Sequence, residues 1–206
     1  MALTPSNVND VKPWLQYYPE WTAHSLDYCE KTLGELYQQN LSKNVSRIAT
    51  RFFGRTQTFG ELDREVRRAA AGLKAFGVRP GDRVAIMLPN CPQHVAAFFA
   101  VQMIGGVVVE HNPLYTAHEL RPQFIDHGAR IAIAWDKAAD TLEKLRADTP
   151  LETVVSVNMT KAMPRAQQLA LRIPLPKILE ARAALTATSK NTSLHTVPWE
   201  SLTSSA

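Results

Sequence analysis

Between residues 84 and 157 the sequence alternates short β-rich apolar runs with stretches long enough for helices, and this alternation restricts the fold more tightly than any other feature. Residues 84–88, 107–109, 131–135 and 153–157 read as strands. The segments between them read as helices: an apolar one over 93–104 stopped by Gly105-Gly106, one opened by Thr116-Ala-His-Glu119 and closed at Gly128, and one over 138–145. Strands that are apolar throughout need cover on both faces, and strand–helix–strand units pair in parallel through right-handed crossovers. The expected fold is α/β, a doubly wound, mostly parallel sheet with helices on both faces.

Upstream, Thr58-Phe-Gly-Glu61 has the form of a capping box: a hydroxyl accepts from the backbone three residues on, and a carboxylate reaches back. Leu62, Val66, Ala69, Leu73 and Phe76 then step by four, three, four and three along one helix face, opposite Arg64, Arg67, Arg68 and Lys74, until Gly77 stops the helix. Residues 47–58 around Gly54 read as a hairpin, and Thr32-Leu-Gly-Glu35 opens a helix expected to reach about Gln39, or continues one begun near Ser25. Residues 1–23, rich in Pro and Trp without periodicity, read as an irregular N-terminal arm, and residues 24–160 as the α/β subdomain. Pro164, Pro174 and Pro176 divide residues 161–185 into short amphipathic helices. Residues 186–206, dominated by Ser and Thr, read as a linker or truncated tail with one ordered patch at Val197-Pro-Trp-Glu200.

Composition excludes several classes. A chain of 206 residues, 45% hydrophobic and 20% charged, has material for one sizeable core or two small ones. The net charge of +4 is spread out, and its densest cluster, Arg64, Arg67 and Arg68, lacks interleaved aromatics, so nucleic acid is not an expected partner. Cys29 and Cys91 are too few and too far apart for a disulfide framework or a thiolate metal site, which fits a cytoplasmic setting. The longest apolar stretch, 95–109, is interrupted by Gln102 and two glycines and falls short of the ~20 residues that span a bilayer.

Ligands of a doubly wound sheet gather at the carboxyl ends of its strands. Here those ends are Pro89-Asn90-Cys91-Pro92, Glu110-His111-Asn112-Pro113, Asp136-Lys137 and Asn158. A phosphate cradle needs consecutive N–H donors on glycine-rich backbone, and prolines at 89, 92 and 113 delete such donors. The nine glycines form neither a dinucleotide fingerprint nor a P-loop. Glu110 with His111, His118 with Glu119, and Asp126 with His127 are adjacent in sequence, but neighbours on one element point in different directions, so none reads as an acid/base dyad. The three histidines lack metal spacing, and Cys91 before Pro92 has no base to activate it. No catalytic, cofactor-binding or metal residue is expected in this chain.

Three stretches nevertheless resemble a known family: Thr58-Phe-Gly-Glu-Leu62, the run from Gly77-Val-Arg-Pro-Gly-Asp through Leu88-Pro-Asn-Cys-Pro92, and Gly105-Gly through Asn112-Pro-Leu-Tyr-Thr to Glu119-Leu120. In order and spacing, over about residues 25–157, they are similar to the opening of the acyl-CoA synthetase, luciferase and adenylation superfamily, and the run from Asn112 looks most like its long-chain fatty-acid ligases. The resemblance implies a two-step reaction. A fatty-acid carboxylate attacks ATP to give acyl-adenylate and pyrophosphate, and the thiol of coenzyme A then displaces AMP, with Mg²⁺ on the triphosphate. The family's phosphate loop, ribose-binding acid and catalytic lysine all come later in its order than Trp199, so the chain is expected to be an N-terminal fragment, inactive alone. The alternative is a non-catalytic α/β binding or interaction module. Residues 163–185, mixing Leu and Ile with Arg165, Arg172, Lys177 and Arg182, are a candidate for peripheral membrane contact. Apolar faces left uncovered would favour self-association.

Overall fold

The computed structural model describes residues 12–26, 28–187 and 195–204. The chain divides into two units, residues 1–32 and 33–206. In the first, Pro13–Tyr17 form one 3-10 turn, with proline at its start where a missing N–H costs nothing.

The second unit opens with α1 (Leu33–Asn44), which runs beyond the expected stop at Gln39. Asn40, Ser42 and Asn44 bond back to the carbonyls of Leu36, Gln39 and Asn40 at 2.8–2.9 Å, taking up acceptors of the last turns. Strands β1 (Ile48–Phe52) and β2 (Arg55–Thr58) pair antiparallel. Their two linking residues, Phe53 and Gly54, have φ of 49° and 90°, the left-handed pair that a two-residue hairpin turn requires. Helix α2 (Phe59–Ala75) starts at the complete capping box: Thr58 Oγ1 accepts from Glu61 N–H at 3.2 Å and Glu61 accepts from Thr58 N–H at 2.8 Å. Leu62, Val66, Ala69 and Leu73 of its apolar stripe are buried. Phe76, expected on that stripe, is the C-cap and is exposed, because the chain swings away through Gly77 at φ 85°.

The alternation then folds as the sequence implies: β3 (Arg83–Met87), α3 (Pro92–Met103), β4 (Val107–Glu110), α4 (Ala117–His127), β5 (Ile131–Trp135), α5 (Ala139–Glu143) and β6 (Thr153–Val157). A second capping box at Thr116 and Glu119 starts α4, and Gly128, left-handed at φ 67°, ends it. Helix α5 is shorter than its pattern: a 3-10 turn at Asp136–Ala138 takes its first residue, and the helix ends at Glu143 rather than Leu145. Short helices α6 (Arg165–Ala170) and α7 (Pro176–Leu185) follow, split by the prolines as expected.

The sheet order is β4-β3-β5-β6-β7, all parallel, with β7 formed by Thr196–Pro198. Its two faces bury different side chains. Val84, Ile86, Ile131, Ile133, Val155 and Val157 face α2 and α3 in one core. On the other face Ala85, Ala132 and Ala134 leave room for Phe124 of α4 and Leu142 of α5. The second face also carries Met87 and Val154, so the small side chains are concentrated on β5, opposite its isoleucines.

The strand β7 and the helix α8 (Trp199–Thr203) coincide with the patch Val197-Pro-Trp-Glu200 expected to be ordered within the Ser/Thr-rich tail. The tail supplies the fifth strand, and Pro198 is tolerated because β7 is an edge. Trp199 and Leu202 are buried, and Trp199 Nε1 donates to Glu65 Oε1 on α2 at 3.0 Å. Backbone meets backbone there, since a Cβ on Gly72 would stand 2.5 Å from the Leu202 carbonyl oxygen. Gly72→Ala is therefore expected to destabilise the fold by about 1–3 kcal/mol, the usual cost of overpacking a filled site. Chemical denaturation followed by tryptophan fluorescence checks it, and an unchanged midpoint would show that α8 is not seated on α2.

Candidate functional site

The parallel sheet places the exits of β3, β4, β5, β6 and β7 along one edge. From β3 the chain crosses one face to β4, and from β5 it crosses the other face to β6. The exits of β3 and β5 therefore flank the point where the winding reverses, the place a doubly wound sheet offers to ligands.

At the β3 exit, Pro89 precedes Cys91, the N-cap of α3, and Pro92 removes the first N–H of that helix. Cys91 is buried, and burial pushes its thiol up to about 11 despite the opposing pull of the Gln93 and His94 N–H groups. A protonated, buried thiol thus sits where an anion would approach. Its reactivity should be correspondingly low. With a maleimide at pH 7.5, Cys29, which is exposed, is expected to label promptly and Cys91 only on unfolding, as peptide mass mapping would show; equal labelling rates would contradict the burial.

The β5 exit holds a helix end. Trp135 Nε1 donates to the Leu185 carbonyl at 3.0 Å, and Lys137 Nζ donates to the Ala183 carbonyl at 2.7 Å and the Ala184 carbonyl at 3.5 Å, satisfying the last carbonyls of α7 and placing a cation at its negative end. Asp136 accepts from the Thr186 hydroxyl and, at 3.1 Å, from Ala187 N–H. Burial raises its carboxyl above the usual range, against the pull of those donors and of Lys137.

Two consecutive residues at the β4 exit point to opposite faces. Glu110 meets His94 of α3, with Nε2 3.0 Å from Oε1, and this bond, outweighing burial, raises the His94 imidazole. His111 turns to the other face, where Nδ1 lies 3.0 Å from Gln123 Oε1 and Nε2 lies 3.1 Å from His127 Nε2. None of the adjacent pairs weighed from the sequence forms a side-chain hydrogen bond in the structure. Glu110 is taken by His94, Glu119 by the cap at Thr116, and His127 by His111 and the Ala129 N–H. Only the cap at Thr116 is local and was legible as a capping box; Glu110 with His94 and His111 with His127 are each 16 residues apart, a separation at which no local pattern could have announced them.

Two polar cavities open along this edge. One of about 650 Å³ lies over the ends of β5, β6 and β7, lined in part by Asp136, Asn158, Arg172, Arg182 and Thr186. The other, of about 390 Å³, lies between the hairpin, α2 and α8, lined in part by Arg55, Arg64, Arg68, Gln93 and Trp199. Lys161 and Glu200, paired at 2.8 Å, line both. The arginine cluster read as one solvated face thus divides: Arg64 and Arg68 face the smaller cavity, while Arg67 binds Asp63 at 2.7 Å and Gln38 at 2.9 Å.

The residues present do not fit a triphosphate with its Mg²⁺. The helix N-terminus at the winding reversal has lost a donor to Pro92 and is covered by Cys91, and no described residues bring three His, Cys, Asp or Glu side chains together. No helix among the described residues is long and apolar enough to cross a membrane.

This geometry defines a doubly wound α/β fold with polar clefts at its strand ends and, among the described residues, no glycine-rich loop at a helix start. The chain belongs to the AMP-binding enzyme family, whose model matches residues 37–193. It is 34% identical over 153 residues to a long-chain-fatty-acid–CoA ligase of Bacillus subtilis, covering 74% of this chain and 27% of that protein. The chain thus spans about a quarter of the length of the curated relatives it matches. Among solved structures, acetoacetyl-CoA synthetase from Streptomyces lividans aligns with a TM-score of 0.53 at 27% identity, over 72% of this chain and 21% of its own. Coronafacic acid ligase from Pectobacterium brasiliense shares the fold, with a TM-score of 0.63 at 19% identity, over 83% of this chain and 29% of its own.

Proposed function

We propose that these residues are scaffold for an ATP-dependent, AMP-forming fatty-acid:CoA ligase, supplying architecture and cleft walls rather than reacting groups. Fatty acid, ATP and CoA are then substrates of the longer protein, and the 206 residues alone are inactive. The observation that carries this reading is how the strand exits are used. At β4 and β5 their polar side chains are committed to helix ends and to one another, as in a frame, while the likeness to long-chain-fatty-acid ligases supports the substrate class. Residues 24–160, extended by the tail strand, are the proposed N-terminal α/β subdomain, in a cytoplasmic protein. The missing cradle would suit a non-catalytic binding module equally well, and the two readings part experimentally. Isothermal titration of the chain with ATP and Mg²⁺ is expected to show no specific binding, and a micromolar site would overturn the scaffold reading. Grafted into the Bacillus subtilis ligase in place of the matching segment, the chain is expected to retain fatty-acid activation within about tenfold; a soluble, folded but inactive chimera would favour the module.

Peripheral contact with an anionic membrane is placed on residues 163–185. Leu169, Ile173, Leu175 and Leu179 are all exposed there, among Arg165, Arg172, Lys177 and Arg182 and with Glu180 as the one acid. The same apolar side chains would support self-association. In sedimentation, the chain is expected to associate as its concentration rises and to pellet with phosphatidylglycerol vesicles in a salt-sensitive way. Failure to pellet would remove the membrane contact, and a single monomeric species at all concentrations would remove the self-association.

A further inference from the structure

The imidazoles of His111 and His127 lie in a chain of hydrogen bonds whose direction can be read from its end. His127 Nδ1 is 3.0 Å from the Ala129 nitrogen, and a backbone N–H can only donate. Neutral His127 therefore carries its proton on Nε2. That proton faces His111 Nε2 at 3.1 Å, which must accept it, so His111 carries its own proton on Nδ1 and donates to Gln123 Oε1 at 3.0 Å. Gln123 Nε2 closes the series by donating to the Glu119 carbonyl at 2.9 Å. One arrangement of protons satisfies every link. The same logic excludes a metal ion bridging the two Nε2 atoms, because His127 would then need lone pairs on both nitrogens.

We propose that this chain is a proton-operated latch, which ties the exit of edge strand β4 to the last turn of α4 when both histidines are neutral and lets go when either is protonated. A proton added to His111 sets two N–H groups head to head at the 3.1 Å contact. One added to His127 turns its Nδ1–H against the Ala129 N–H. Either event breaks a link and frees the 111–116 connection, which borders the strand-end edge.

The surroundings hold the closed form neutral. His111 is buried and stacked on Phe124, with ring centroids 5.1 Å apart. Burial lowers both imidazoles, His127 to about 4 with a further push from His111. The charged groups around them are Glu110, itself bonded to His94, then Asp126, which favours a charged His127, and Arg83, which opposes it. Burial outweighs the carboxylates. Because the folded values lie below the ordinary 6.5, the latch is fully stabilising above that pH and weakens as pH falls from there toward about 4. Opening that takes up two protons raises the open fraction by up to about a hundredfold per pH unit within that window.

The test is nitrogen NMR of the 206-residue chain with labelled histidine, joined to amide exchange. At pH 7.5 His111 is expected as the Nδ1–H tautomer and His127 as the Nε2–H tautomer. The protection factor of the Ala129 amide is expected to fall at least tenfold between pH 7 and 5.5. In His111→Gln, whose carboxamide can accept from His127 and donate to Gln123, protection at pH 7 should persist with a shallower pH dependence. In His94→Gln the dependence should stay as in the parent. Reversed tautomers, protection indifferent to pH, or a response abolished by His94→Gln would each overturn the latch. The tautomer and protection measurements on the unsubstituted chain decide the matter even if His111→Gln does not fold.

Discussion

Parallel pairing obliges every connection between strands to cross a face of the sheet, and most of this molecule's organisation follows from that obligation. Each crossing brings a helix, so both faces become core. β5, at the centre of the sheet, is buried along its whole length from Ile131 to Trp135. Its alternation of Ile and Ala sets the two faces apart, with branched side chains toward α2 and α3 and methyl groups toward α4 and α5. A larger residue at Ala132 or Ala134 would meet the layer that holds Phe124 and Leu142.

The same obligation gathers all the strand exits on one edge, where chain leaves the sheet and backbone groups lose their ladder partners. The molecule uses side chains from those exits to fasten neighbouring elements. Trp135, Asp136 and Lys137 secure the end of α7 and the residues just after it. Glu110 and His111, pointing opposite ways as successive strand residues must, fasten α3 on one face and α4 on the other. Residues that on paper resemble acid/base candidates thus hydrogen-bond to neighbouring helices.

Membership of the AMP-binding family does not require a glycine-rich phosphate loop among the described residues, because a fold and the site placed on it are separate matters. Among the described residues, the two cavities over the strand ends and beside the hairpin have walls that meet at the Lys161–Glu200 pair. That pair is about half exposed, so solvent screens it and it marks a boundary more than it stabilises one.

Local chemistry made much of this fold legible in the sequence. The capping boxes at Thr58 and Thr116, the left-handed stops at Gly77 and Gly128, and the strands between residues 83 and 157 depend on residues a few positions apart, so their spacing is already the interaction. The tail was legible only as an ordered patch at Val197-Pro-Trp-Glu200 within a Ser/Thr-rich stretch; that patch becomes β7 because β6 offers an unpaired edge, and α8 because Gly72 lets its backbone approach α2. The candidate site was legible only as a set of exits. The apolar strand–helix alternation alone was enough to make the strands parallel, and the residue pattern alone put prolines at 89, 92 and 113 of the strand exits. Only the tertiary structure decided that His111 would face His127, Glu110 face His94 and Trp199 face Glu65, because those contacts are made by the packing of whole elements.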